Sequence, residues 1–162
     1  MRMKLHLCAA TLSFLVVGIL ASAIPARAGD CKSFRAVIVD AQTTAGCTSP
    51  RGFCAAGTVD GIHGFRGTTF FTLDGVVAGP ATAPGTIATS GVLVYTTARG
   101  TLTVRESGMS NLVIPSGNFF TAFQQVLSGT GDYADATGRM YVLGQNLGDH
   151  FEAEVTGELC RP

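Results

Sequence analysis

The sequence predicts an all-β protein built as one eight-stranded, mostly antiparallel β-barrel, with a β-sandwich as the alternative. Three observations carry that reading. Apolar residues recur with a period of two and hold no 3.6-residue period through three turns. Glycine-rich turn signals cut the chain into about eight pieces. Two cysteines, Cys31 and Cys160, lie near the two ends of the folded region, where a bond would set the first strand beside the last.

Residues 1–28 come first and read as a secretory signal. Arg2 and Lys4 make a positive start, Leu12 to Ala23 supply a short apolar run, and Ala26-Arg27-Ala28 offers small residues before a cleavage point at Gly29. The run is short for a membrane span, which needs roughly 20 residues. Cys8 precedes it and so is no lipid-accepting cysteine. The expectation is an exported protein, periplasmic or extracellular, with residues 29–162 as a single barrel domain and no membrane span after cleavage. Arg2, Lys4 and Arg27 leave with the signal, so the 11 basic and 11 acidic groups of the chain become 8 and 11, a formal charge of −3. Lys32 is the one lysine left, and no basic stripe remains to meet nucleic acid or an anionic membrane.

Strands are expected near 33–42, 52–62, 65–75, 86–97, 100–108, 117–127, 138–146 and 149–159. Between the first two, Cys47 and Cys54 bracket Ser49-Pro50-Arg51-Gly52, a spacing that suits a local clip of a turn. Four cysteines allow three pairings. A Cys31–Cys160 bond would close nearly the whole chain, for which loop-entropy arguments give about 4–5 kcal/mol. Gly61-Ile62-His63-Gly64 is a turn that leaves His63 exposed, and Gly79-Pro80 to Pro84-Gly85 is a longer loop. Arg99-Gly100, Pro115-Ser116-Gly117 and Leu147-Gly148-Asp149 are short breaks. In the fifth strand Leu102 and Val104 alternate with Thr101, Thr103 and Arg105. The sixth is apolar on both faces: Phe119, Thr121, Phe123 and Leu127 on one, Phe120, Ala122, Gln124 and Val126 on the other. The last alternates most cleanly, with Phe151, Ala153, Val155, Gly157 and Leu159 opposite Glu152, Glu154, Thr156 and Glu158, the acids forming a solvated face.

Ser128-Gly-Thr-Gly-Asp-Tyr-Ala-Asp-Ala-Thr-Gly-Arg139 is a turn built by backbone chemistry. Gly129, Gly131 and Gly138 supply positive φ or close approach, Thr130 and Asp132 bond local backbone, and Tyr133 and Ala136 pack the turn onto the barrel end. A phosphate cradle would need a following helix, and a strand follows here. The segment resembles the Gly-Thr-Gly-x-(Tyr/Phe)-x-x-Ala-x-Gly signature of the allene oxide cyclase and dirigent barrels and of secreted bacterial relatives. The resemblance extends to Cys31, to Cys47-Thr-Ser-Pro-Arg-Gly-Phe-Cys54-Ala-Ala-Gly-Thr and to Gly157-Glu-Leu-Cys160, most of the exported chain. It implies an eight-stranded barrel that holds a hydrophobic molecule inside. Only the turn signature aligns well enough to transfer, so the resemblance assigns no catalytic residue.

Two functions follow as expectations. The first is a barrel that binds a small hydrophobic ligand or packs into a homo-oligomer; it calls for an apolar cavity or an apolar outer patch. The alternative is a dirigent- or cyclase-like enzyme steering cyclisation or coupling of a hydrophobic intermediate; it calls for an acid converging with a tyrosine or arginine in a closed pocket. Arg66, Asp74, Tyr95, Arg105, Gln125 and Tyr141 are the candidate ligand-binding residues. Arg105 and Glu106 are neighbours on a strand, so only one of them faces inward. No Gly-x-Ser-x-Gly elbow is present, His63 and His150 have no ligand-spaced company, and the sequence calls for neither a metal nor a cofactor.

Overall fold

The alternation resolves into a closed barrel. The computed structural model describes residues 30–111 and 118–161, so the signal reading and the Pro115-Ser116-Gly117 break lie outside the described residues. Eight strands follow in chain order: β1 (Asp30–Thr43), β2 (Cys54–Gly61), β3 (Arg66–Ala78), β4 (Thr86–Thr97), β5 (Gly100–Asn111), β6 (Asn118–Gly129), β7 (Thr137–Asn146) and β8 (Phe151–Arg161). Each pairs antiparallel with the next, and β1 pairs with β8 to close the ring. The sandwich alternative is thereby excluded. Closure also explains why β1 begins at Asp30, earlier than its alternation suggests: its ladder with β8 runs from Asp30↔Arg161 to Asp40↔Phe151. β3 runs beyond the expected end at 75 because a bulge between Leu73 and Gly75 carries the ladder past the irregular stretch.

The disulfides are Cys31–Cys160 and Cys47–Cys54. The first joins residues that stand opposite each other in the β1–β8 ladder. The second staples the β1–β2 loop, which Ser49 also ties down: its Oγ donates to Leu73 O and accepts from the backbone N–H groups of Arg51 and Phe53.

One end of the barrel, where Asp30 of β1 pairs with Arg161 of β8, is solid. Phe34, Tyr95, Leu102, Met140 and Leu159 project inward there and are at most 6 % exposed. Phe65 enters from the β2–β3 turn and meets Phe34, Tyr95 and Tyr133 edge-on, at 4.8, 5.3 and 5.6 Å between ring centroids. Tyr133 comes from the Gly-Thr-Gly turn, which does pack onto the barrel end. Thr130 pairs with the β4–β5 turn, its N–H donating to Thr101 O and its Oγ1 accepting from Thr101 N. Thr130 and Asp132 both differ from expectation: the Thr130 hydroxyl meets Thr101 of β5, and the Asp132 carboxylate accepts from the Arg99 side chain at 2.7 Å, rather than bonding neighbouring backbone, because the β4–β5 turn lies against this one. Gly131 is required on two counts, a φ of 58° and a backbone so close that a Cβ would stand 2.3 Å from Arg99 O.

Outside, β8 carries its glutamates to solvent, as expected. The outer face of β5–β7 is different. Met109, Phe119, Leu127, Tyr141 and Leu143 are all exposed there, so the double-sided apolar character of β6 is real.

Candidate functional site

The other end of the barrel is hollow. Six of its inward positions carry small residues: Ala55 on β2, Thr89 on β4, Gly108 and Ser110 on β5, Ala122 on β6 and Ala153 on β8. A cavity of about 290 Å³ remains. Ile38, Phe71, Leu73, Val76, Ile87, Leu93 and Val142 add apolar wall. Phenylalanines ring the opening, with Phe53 against Phe71 and Phe151 at 6.5 and 6.0 Å, and Phe120 against Phe151 at 6.3 Å. Phe53 stands there because the Cys47–Cys54 staple and the Ser49 hydrogen bonds hold its loop over the rim.

Two carboxylic acids reach this cavity. Asp40, on β1, is only 7 % exposed and its Oδ1 accepts a short hydrogen bond from Thr69 Oγ1 on β3. Gly57 on β2 leaves the room for it, since a Cβ there would stand 2.6 Å from Asp40 Oδ1. Glu106, on β5, is partly buried and its Oε2 accepts from Gln124 Nε2 on β6 at 2.7 Å. Gln124 Oε1 in turn accepts from the Tyr95 hydroxyl at 2.8 Å. Both of these donors are fully buried, so a continuous relay runs from the packed end to the cavity floor. Burial pushes the carboxyls of Asp40 and Glu106 up from their ordinary range; the Thr69 and Gln124 hydrogen bonds oppose this, and the Asp40 charge adds to it at Glu106. Burial, and then the charge of Glu106, drives the Tyr95 hydroxyl upward, so it stays protonated as a donor to Gln124.

The six residues singled out from sequence divide sharply. Tyr95 points inward, though it is covered by Gln124 and contributes no surface to the cavity. Arg66, Asp74, Arg105, Gln125 and Tyr141 stand on the outer face, and the inner cavity is not theirs. Arg66 pairs with Asp60 at 2.7 Å in solvent. Arg105 forks onto both oxygens of Asp74, at 2.5 and 3.1 Å, and the Ser90 hydroxyl joins them. Those bonds hold the Asp74 carboxyl below its usual range. Gln125 is exposed, and Tyr141 packs edge-on against Phe123 at 5.6 Å while 62 % exposed. The physical reason is parity: Arg105 alternates with the inward Leu102 and Val104, and Gln125 with the inward Ala122 and Gln124.

The same parity is the signal that finds the residues sequence reasoning passed over. Glu106 shares a face with Leu102 and Val104, Gln124 with Phe120 and Ala122, and Asp40 with Phe34, Ala36 and Ile38. A polar residue in step with a buried apolar row is a polar residue inside the barrel. Among the described residues no group of three or more His, Cys, Asp or Glu side chains is placed to hold a metal ion. Compared with protein-family models, curated proteins and solved structures, the chain matches none.

Proposed function

We propose that this protein is an exported container that binds a small, largely apolar molecule in the open end of its barrel. The single observation that carries the reading is the 290 Å³ cavity, walled by aliphatic and phenylalanine side chains with a few polar groups at its floor. One end of the barrel is filled by large buried side chains and the other is not, although small-to-large exchanges at Ala55, Ala122 or Ala153 would fill it. Two disulfides, and the lack of any membrane-spanning helix among the described residues, are compatible with export. The exposed apolar side chains of β5–β7 support a second element of the reading, self-association through that face.

The reading is tested by native mass spectrometry of the protein recovered from an oxidising compartment. A retained, organic-extractable mass is expected, and Ala122→Phe should lose it while keeping the fold. A protein that stays empty after soaking in lipophilic extracts overturns the reading.

A second reading, a cyclase- or dirigent-like enzyme, draws on one observation: the Glu106–Gln124–Tyr95 relay ends in an acid at the cavity. Such an acid can lend a proton to a bound enol or quinone methide. Turnover of the retained molecule, abolished in Glu106→Gln with binding kept, is the result that favours it.

A further inference from the structure

Among the described residues the acids of the cavity have no counter-charge. Asp40 and Glu106 both line it, and none of its lining residues is a lysine, arginine or histidine. Each acid spends one oxygen on a protein donor, Asp40 Oδ1 on Thr69 and Glu106 Oε2 on Gln124. The second oxygens, Asp40 Oδ2 and Glu106 Oε1, receive no hydrogen bond from the described residues. Thr69 is 3 % exposed and Gln124 0 %, so the donors that orient the two acids are themselves locked in place. This is a built polar site in an apolar chamber, and it is short of one positive, hydrogen-bond-donating group.

We propose, resting on the container reading above, that the ligand carries a protonated amine on an apolar body of about a dozen heavy atoms, with the ammonium seated at Asp40 and Glu106. The size follows from scaling: a 150 Å³ apolar cavity holds benzene, so 290 Å³ corresponds to roughly twice that number of atoms. The charge follows by elimination among ligand classes. A carboxylate or phosphate would bring a third acid into a chamber with no base. A neutral lipid would cover both acids and leave their free oxygens without donors, at a desolvation cost for each. An ammonium donates up to three hydrogen bonds, and it suits the phenylalanine ring at the mouth as well, because a cation is attracted to aromatic faces. A bare hard metal ion fits poorly, since it favours a set of several anionic ligands and, among the described residues, no group of three or more His, Cys, Asp or Glu gathers here.

The groups facing the site define its response to pH. β1 presents Asp40, β5 presents Glu106, and β4 presents Tyr95 through Gln124 of β6. Among the described residues, β2, β3, β7 and β8 turn their titratable groups outward, Asp60, Asp74, Arg139, Tyr141 and the β8 glutamates included. Near the rim Arg51 is exposed, and His150 is engaged by Asp149 and Glu152. Acidification therefore discharges the site, and burial makes it discharge at a higher pH than free carboxylates do.

The test is calorimetric titration of the disulfide-bonded chain with a matched pair of probes, 4-phenylbutylamine and 4-phenylbutan-1-ol. At neutral pH the amine should bind about tenfold more tightly or better, the scale of a charge-assisted hydrogen bond. Its affinity should fall on acidification while that of the alcohol stays level. In Asp40→Asn/Glu106→Gln the amine should lose its advantage, so that amine and alcohol bind alike, and retained binding of the alcohol also reports that the variant is folded. Equal affinities for amine and alcohol in the unmodified protein overturn the ammonium assignment and leave the container intact. No binding of either probe overturns both. If the double variant does not fold, the level alcohol curve against a falling amine curve in the unmodified protein decides the matter, and two parallel curves reject the proposal.

Discussion

The two ends of this barrel are made by the same eight strands with the same alternation, yet one is solid and the other is a chamber. At the solid end the inward positions carry Phe34, Tyr95, Leu102, Met140 and Leu159, and two turn residues, Phe65 and Tyr133, fold in over them. At the open end six inward positions on five strands carry alanine, glycine, threonine or serine, so the aliphatic side chains between them leave a space, and phenylalanines stand around the rim. Alternation decides which side chains face inward; side-chain volume decides whether the space they face is filled. The solid end carries most of the packing that stabilises the barrel, and the open end contributes less to it.

The largest effect that sharpens this contrast is expected at the solid end. Tyr95→Ala should destabilise the protein by about 3–5 kcal/mol, since it opens a cavity among packed rings and strips Gln124 of its donor; urea unfolding midpoints report it. A loss below about 1 kcal/mol would mean that the two ends are equally loose. Removing the Cys31–Cys160 bond by Cys31→Ala/Cys160→Ala should cost about 2–5 kcal/mol in the same assay, because it closes a loop with a sequence separation of 129. At the open end Ala122→Phe should leave stability within about 1 kcal/mol of the unmodified protein, for the ring enters empty space rather than a filled core. A loss there as large as that of Tyr95→Ala would show that the chamber is tightly packed in solution.

Smaller effects separate the inner acid from the outer ion pair by their opposite dependence on pH. The folded-state value of Glu106 lies above its ordinary 4.5, chiefly through burial, so the native protein holds this proton more firmly than the unfolded chain. Its contribution to stability is complete below the ordinary value and is lost as pH rises through the folded one. Glu106→Gln keeps an acceptor for Gln124 and should therefore raise the melting temperature at about pH 8, with no gain at about pH 3; equal gains at both would remove the charge from the explanation. Asp74 has the reverse sign. Its folded value lies below the ordinary 3.8 because Arg105 and then Ser90 donate to it, so its contribution is present above that value and lost as pH falls through the folded one. The Arg105 and Asp74 side chains are 40 % and 34 % exposed, so solvent screens the pair and Asp74→Asn should cost less than about 1 kcal/mol at neutral pH.

How much of this was legible in the sequence differs between fold and site. The alternation of 151–159 marks β8 and its inward face, and the cysteines at 31 and 160 mark the seam that closes the ring. The Gly-Thr-Gly turn is legible as a structural element, down to the packing of Tyr133 and Ala136. The site is legible only in part. Tyr95 is inside, but Asp74, Arg105 and Gln125 are candidates only as polar residues on strands, whereas Glu106 beside Arg105 and Gln124 beside Gln125 hold the inward positions. Parity with Leu102, Val104 and Ala122 tells these neighbours apart. Parity alone leaves open that Asp40 and Glu106, from strands on different parts of the ring, share one chamber.

By itself, then, the sequence determined the strands, their inward rows and the cysteine frame, because each depends on residues close in the chain or on a period of two. Tertiary structure alone decided that Thr69 orients Asp40, that Gln124 links Tyr95 to Glu106, and that the small residues of five different strands leave one common space. Those relations depend on ring closure and on the stagger between strands, which set residues far apart in sequence face to face across the barrel and are written in no local pattern.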